Sequence, residues 1–585
     1  MIKLLRFMKP YRPILVFVVV LAFLQAMANL YLPTLFANIV DNGIIKGDTG
    51  YIWRTGSIML LITLAGTIAA VVGIFYSSQV ATGFGKIIRA RLFTHVSQFS
   101  LHEFDSVSAS SLITRTTNDT TQVQQVMILM LNMMITAPFT LIAGIILALN
   151  QDVGLTWILV VVIPILVGAI VILMSKAIPL FRIMQKKLDK LNLILDEGLT
   201  GVRVVRAFDR KKYEEHRFDE ANLDLTNVAI KVNRMVASLM PIMMLCLNVS
   251  SIAILWFGAI RINNGQMQVG ALIAFLQYAM LILFALLMIS MMFIMLPRAA
   301  ASADRINEVL AIEPEIKDTD HVKQTDKQKG YVEFQNVTFS YPGAEEPALS
   351  NISFSAVPGE VTAIIGGTGS GKSTLVSLIP RFYDIDEGTS GTGGHLLADG
   401  VDVREMSQEH LRSKIGFVPQ KAILFSGTVA ENIRYGKEDA TDEEVRYAAD
   451  VAQATEFISE MQDGFNSVIA QGGTNVSGGQ KQRLSIARAL VRKPEIYVFD
   501  DSFSALDFKT DAQLRAALKQ ETRESTVLIV SQRVSTIMDA DQIIVLDEGR
   551  IAGIGTHRDL MRSSEVYREI VSSQLSLEEI AEEIA

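Results

Sequence analysis

Two short stretches of the 585-residue chain have the residue types and spacing to do chemistry on phosphate. The first is "VTAIIGGTGSGKST", 361–374, in which a β-prone apolar run leads into Gly366-x-x-x-x-Gly371-Lys372-Ser373. Glycines at Gly366, Gly367, Gly369 and Gly371, with Thr368 and Ser370 between them, let backbone N–H groups wrap phosphate oxygens. A helix that follows aims its positive end at the same anion. Lys372 can reach the terminal phosphates, and the Ser373 hydroxyl can be offered to Mg²⁺, with Thr374 next to it. The second stretch is "VFDDSFSALD", 498–507, where the apolar run Ile496 to Phe499 ends in Asp500 and Asp501. A buried strand that ends in a carboxylate suits a magnesium site beside the phosphates.

Both stretches need a strand to deliver them, and the first needs a helix behind it. The sequence around them reads as an ordinary soluble α/β domain from "YVEFQNVTFSY" onward, after a polar connector at 298–330. A third candidate lies between them. Ser477, Gly478, Gly479 and Gln480 can open a helix, with Ser477 as its cap, and such a start makes an anion site.

The residues before about 297 are of another kind. Hydrophobic residues make up 50% of the chain, and the mean hydropathy of +0.33 is high for a soluble protein. Six stretches long enough to cross the hydrocarbon core lie near 14–40, 56–79, 125–150, 154–176, 236–262 and 268–296. Short connections (41–55, 151–153, 263–267) alternate with long polar ones (80–124, 177–235). Lys and Arg crowd the 177–235 segment and the N-terminus, which places both termini and both long connections on the cytoplasmic side. The stretch after "MIKLLRFMKPYRP" is too long for a signal-peptide core and lacks a small-residue cleavage site. The long connections keep helical spacing, so the spans should run on into the cytoplasm and turn through short helices near 102–111 and 207–218.

Met240, Met243, Met244, Met288, Met291, Met292 and Met295 make the last two spans methionine-rich. That suits either an adaptable apolar ligand surface or ordinary helix packing. Asn132 and Asn248 could line a cavity or hydrogen-bond a neighbouring helix. The net charge of −8 argues against nucleic acid as a partner. The single cysteine, Cys246, excludes an internal disulfide.

Over nearly its whole length the chain resembles a half-transporter of the ATP-binding cassette (ABC) exporters. The resemblance rests on the P-loop, "GFVPQKAILF", "NVSGGQKQR" (475–483), Asp500 and "SALD" (504–507), in the family's order and after six spans. It implies an α-helical membrane domain (1–297) with long cytoplasmic extensions, a connector (298–330) and an α/β P-loop nucleotide-binding domain (331–585). It further implies ATP and Mg²⁺ as cofactors. Tyr341 matches the aromatic that stacks on adenine, Gln420 the glutamine that contacts the metal, and Asp500 the Walker B carboxylate. Ser477 to Gln480 match the signature that completes the site of the opposite subunit. The implied setting is the cell membrane.

Departures from the family fall on catalytic positions. Asp501 stands where the family carries glutamate, and Gln532, in "IVSQRVST", where it carries histidine. Both changes should weaken hydrolysis and leave ATP binding intact. "GTSGTGG", 388–394, is longer than the family's turn, and Gln471 replaces an acidic residue. Altered catalytic residues with an intact signature resemble the degenerate-site subunit of a heterodimeric exporter of amphipathic, drug-like cargo. A homodimeric lipid or drug exporter and a non-transporting ABC sensor are the alternatives.

Overall fold

The computed structural model describes residues 2–318, 329–386 and 394–575, and divides into two compact units. One comprises Met1–Ser97 and Ser108–Ile312, the other Gln98–Val107 and Glu313–Ala585. Most of the loop 388–394 and part of the connector, 319–328, lie outside the described residues.

The first unit is six helices long and apolar enough to cross a membrane: α1 (Lys3–Ile44), α2 (Thr49–Val96), α3 (Ala109–Gln151), α4 (Val153–Thr200), α5 (Lys211–Asn263) and α6 (Val269–Ala311). Lengths of 42 to 53 residues exceed the roughly 20 needed to span hydrocarbon, so each runs well past its apolar stretch. Asp48 and Asp152 cap the starts of α2 and α4 after the short connections, accepting from Tyr51 N and Leu155 N. The apolar windows of α1 to α5 are only 17–22% buried within the chain. Their remaining surface suits lipid, and the tryptophans Trp53, Trp157 and Trp256 are exposed near the ends served by the short connections, as in an interfacial belt. Asn132 hydrogen-bonds a neighbouring helix: its Oδ1 accepts from Ser77 Oγ of α2 at 2.8 Å. Asn248 is exposed on α5, and of the methionines Met243 is buried while Met240, Met244 and Met295 are exposed.

The turns differ in detail from the sequence expectation. The stretch 102–111 divides at Ser108, whose φ of 64° ends the short helix Leu101–Val107 and whose side chain caps the start of α3. The 207–218 turn is mostly helix α5, the short helix lying earlier at Val202–Ala207, because Asp209 takes a left-handed φ of 49° just before Lys211 restarts the helix.

In the second unit the Glu103 carboxylate ties Leu101–Val107 to the chain that enters the nucleotide domain. It accepts from Ser100 N at 2.6 Å and Glu315 N at 3.1 Å. Burial opposes its ionisation, but these hydrogen bonds outweigh burial and hold its pKa below the ordinary value.

Among the described residues, the domain beyond carries three sheets. The first is antiparallel, in the order β2-β1-β4-β5, from β1 (Val332–Phe339), β2 (Leu349–Ala356), β4 (His395–Ala398) and β5 (Val401–Asp402). The main sheet runs β12-β11-β3-β10-β9-β6. Its members are β3 (Val361–Gly366), β6 (Ile415–Val418), β9 (Ile496–Asp500), β10 (Thr526–Val530), β11 (Gln542–Asp547) and β12 (Arg550–Gly555). A short pair, β7 (Gly427–Thr428) with β8 (Val468–Ile469), forms the third. Strands β6, β9, β10, β3 and β11 are mutually parallel, and every residue of β9 and β10 is buried. A parallel strand covered on both faces needs a continuous apolar run, which "IYVF" and "VLIV" supply.

Candidate nucleotide site

Parallel order brings the carboxyl ends of non-consecutive strands together, and ligands bind at that edge. Because β9 lies between β6 and β10, the residues just past those three strands become neighbours: Gln420 after β6, Asp501 after β9 and Gln532 after β10. Strand β3, on the other side of β10, delivers the P-loop to the same edge.

The P-loop glycines are there for two physical reasons. Gly369 and Gly371 adopt φ of 85° and 95°, where side chains are strained. A Cβ on Gly366 would sit 2.2 Å from the Leu546 carbonyl oxygen of the adjoining strand β11. Lys372 opens helix α7 (Lys372–Leu378), and its Nζ donates to the carbonyls of Gly366 (3.0 Å) and Gly367 (2.6 Å). Burial lowers its pKa, and the neighbouring Asp501 and Asp500 oppose that. Ser373 Oγ donates to Asp500 Oδ1 at 2.9 Å. Thr374 faces Tyr341, whose hydroxyl lies 2.9 Å from Thr374 Oγ1. Phe339 and Tyr383 pack edge-on against the Tyr341 ring with centroids 5.0 and 5.5 Å away, so the aromatic stands braced beside the P-loop helix.

Asp501 takes φ of 46° as the chain turns sharply out of β9, and its N–H donates to Val530 O of β10. Its Oδ2 accepts from both glutamines, Gln420 Nε2 at 3.3 Å and Gln532 Nε2 at 3.4 Å. Burial raises the pKa of Asp501, and Gln420 and Lys372 only partly offset it. Burial also raises that of Asp500, reinforced by Asp501 beside it.

A carboxylate whose folded pKa lies above its unfolded value costs stability when ionised. That cost is present above the raised pKa and is relieved as pH falls toward the ordinary 3.8. Asp501→Asn keeps an oxygen for both glutamines and removes the charge. It will therefore raise the melting temperature of the nucleotide-free protein at neutral pH, and the gain will shrink in mildly acidic buffer. Calorimetric scans at the two pH values check both signs; a lower melting temperature at neutral pH contradicts the assignment.

Away from the P-loop, Ser477 caps helix α8 (Gly478–Leu490) in a reciprocal box with Gln480. Gln480 Oε1 accepts from Ser477 N at 2.9 Å and Ser477 Oγ from Gln480 N at 3.3 Å. Ser477 and Gly478 are exposed, and a Cβ on Gly479 would meet Ala505 O of the SALD loop at 3.0 Å. Among the described residues no hydrogen bond joins 477–480 to 366–374. The sequence-marked residues therefore form two groups: the P-loop, Asp500, Asp501, Gln420, Gln532 and Tyr341 at one edge, and the start of α8 apart. Gln471 is exposed in a short turn.

One contact was not legible in the sequence. Gln574 holds the corner after β10, accepting from Val534 N at 2.9 Å and donating to Gln532 O at 2.7 Å. It lies some forty residues downstream in a polar segment with no motif of its own.

Comparison with known proteins agrees with this architecture. Residues 15–287 match the ABC transporter transmembrane region and residues 349–504 the ABC transporter domain. An uncharacterised ABC transporter ATP-binding protein of Mycobacterium tuberculosis (strain CDC 1551 / Oshkosh) is 46% identical over 97% of both chains. A putative multidrug export ATP-binding/permease protein, YgaD of Bacillus subtilis (strain 168), is 31% identical over 98% of this chain and 99% of its own. Among solved structures, a bacterial Atm1-family ABC exporter with ATP bound superposes with a TM-score of 0.80 at 25% identity, covering 97% of this chain and 99% of that one. Six membrane-crossing helices, a P-loop at the edge of a parallel sheet and these matches lead to one conclusion: the chain belongs to the ABC transporter family, as an ATP-hydrolysing half-transporter of the exporter type.

Proposed function

We propose that this half-transporter works as the degenerate-site subunit of a heterodimeric exporter that moves amphipathic, drug-like compounds out of the cell. The observation that carries the reading is the Asp501 carboxylate, one methylene shorter than glutamate and engaged by two glutamine amides, in a chain whose Ser477–Gln480 box is intact. A base must reach the water it polarises, and a displacement on the order of 1 Å costs about a hundredfold in rate. Gln532 can donate to a γ-phosphate oxygen but cannot carry the charge available to histidine. ATP bound at Lys372 would then be long-lived. The start of α8 would complete the partner's site, with its exposed N–H groups aimed at the partner's nucleotide. Closure of the two nucleotide domains would drive the spans outward through the tips at 101–107 and 202–210.

The donor set around Ser373 fits Mg²⁺. A hydroxyl and a buried carboxylate lie 2.9 Å apart, and the Gln420 amide stands at the same edge, donating to the neighbouring Asp501. When bound, the ion would neutralise charge on the β- and γ-phosphates. Ser373, Gln420 and Asp500 would hold it, Lys372 would swing from its carbonyl partners to the phosphates, and Tyr341 would carry the adenine.

Purification of the chain alone tests the subunit assignment. We expect ATP to bind, with turnover near background until a second half-transporter carrying glutamate and histidine at the corresponding positions is co-expressed. Brisk hydrolysis by the isolated chain would instead make it a homodimeric exporter that tolerates Asp501.

A further inference from the structure

Away from the nucleotide site, three metal-ligating side chains converge where the first cytoplasmic turn meets the chain that enters the nucleotide domain. His102 and Glu103 stand on the short helix Leu101–Val107, and Glu315 lies 212 residues beyond Glu103. All three belong to the second unit. One ring nitrogen of His102 and one oxygen from each carboxylate lie within 4.8 Å of one another. His102 Nδ1 approaches Glu315 Oε2 to 3.1 Å. That nitrogen is buried, yet it makes no hydrogen bond among the described residues, so the two atoms are close without the alignment a hydrogen bond needs. Ligands on adjacent corners of a tetrahedral zinc shell stand at nearly this separation. Zn–N and Zn–O bonds of about 2.0–2.2 Å place them roughly 3.3–3.6 Å apart.

We propose that His102, Glu103 and Glu315 bind a divalent first-row transition ion of the Zn²⁺ type, which ties the turn to the domain entry. Glu103 is the anchor. Its buried carboxylate accepts from Ser100 N at 2.6 Å and Glu315 N at 3.1 Å. An ionised carboxylate offers about four lone-pair positions, so these two bonds leave others for a cation. The same amides fix the orientation of the group, as outer-shell partners do in metal sites. They also hold it ionised at neutral pH.

The other two ligands give access. Glu315 is exposed and His102 half-buried, which leaves an ion a path from solvent and room for water in a fourth position. No ammonium of the chain competes among the described residues: Lys317, two residues on, is engaged by Glu313, and the ion pair of Glu315 is with His102. One imidazole with two carboxylates suits zinc and its neighbours in the series, whereas Mg²⁺ and Ca²⁺ take all-oxygen shells of six or more ligands. An exposed His–Glu contact by itself contributes little, so the ion supplies most of the tie. The inference does not depend on which subunit hydrolyses ATP.

The test uses the full-length chain in detergent, with and without its co-expressed partner. The protein is stripped with a chelator and dialysed against Zn²⁺ in excess Mg²⁺ and ATP, so that the oxygen-rich nucleotide site is already filled. Metal analysis should show about one zinc per chain. His102→Ala and Glu315→Gln, both at partly or fully exposed positions, should each weaken uptake at least about tenfold, the low end of what even an outer-shell change costs. Co²⁺ taken up in place of zinc should give the visible absorption of a four-coordinate ion, and His102→Ala should abolish it. His216→Ala, exposed beside Glu220 on α5, is the control and should leave both readouts unchanged. Equal zinc content in wild type and His102→Ala, in protein that elutes as folded, would reduce the cluster to an ion pair and overturn the proposal. So would an equal loss in His216→Ala, which would place the ion elsewhere.

Discussion

Gly479→Asp in this chain will all but stop ATP turnover by the proposed heterodimer, whereas Asp501→Asn will slow it only a few-fold. The difference follows from which subunit each residue serves. Gly479 lies in the first turn of α8, whose exposed N–H groups form an anion site for the partner's nucleotide in the proposed heterodimer. A carboxylate there repels the γ-phosphate and crowds the Ala505 carbonyl, which a Cβ alone would approach to 3.0 Å. Loss of one preorganised donor to a developing anion costs about a hundredfold to a thousandfold, and an opposing charge adds to that. Folding should survive, because the Ser477–Gln480 box is untouched and an acidic residue is favourable in a helix's first turn. Asp501→Asn removes a carboxylate that, in the proposed degenerate site, contributes little to polarising water, while preserving an acceptor for Gln420 and Gln532. Steady-state ATPase of the two variants, each with wild-type partner, decides the matter. Equal and severe losses would mean that Asp501 is a full catalytic base, and the asymmetry would be wrong.

The second large effect is a gain. Asp501→Glu combined with Gln532→His should convert the isolated chain from near-background to brisk ATP hydrolysis, an increase of about a hundredfold. Everything else that a symmetric site needs is present: the P-loop, the Ser373–Asp500 pair, braced Tyr341 and an intact signature that a second copy can supply. The added methylene carries the carboxylate toward the γ-phosphate, and histidine adds a donor that can be charged. A modest backbone cost accompanies the change, since aspartate tolerates the left-handed φ of 46° at this position better than glutamate does. The experiment is ATPase of the purified double variant without partner, together with the lifetime of its bound ATP. An unchanged rate and an unchanged lifetime would show that the bottleneck lies elsewhere than these two side chains.

Much of this protein is written in local pattern. A membrane span declares itself by about twenty apolar residues, because hydrocarbon tolerates no unpaired backbone and only a continuous helix satisfies it. The P-loop declares itself by glycine spacing, because its backbone must take φ of 85° and 95° and pass within reach of Leu546 O. The cap at Ser477 is likewise a four-residue matter. Each of these constraints acts over a few residues or one helix, so the sequence alone determines them: six spans, a phosphate cradle, a capped helix start, and the residues Asp501 and Gln532 at their positions.

What the sequence leaves open is everything decided by the order of strands. Gln420, Asp501 and Gln532 are separated by 81 and 31 residues and meet only because β9 is laid between β6 and β10. No periodicity encodes that order; it comes from packing a parallel sheet whose inner strands must be covered on both faces. The same holds for Gln574 on the corner after β10, for Glu103 on Glu315 N, and for His102 beside Glu315. The division of the 102–111 turn at Ser108 and the early restart of helix at Lys211 are likewise tertiary outcomes, each marked by one residue in the left-handed region. Sequence set the parts and their chemistry, because those depend on short-range sterics and hydrophobic length. Tertiary structure alone set which side chains share a carboxylate, because that depends on contacts between elements far apart in the chain.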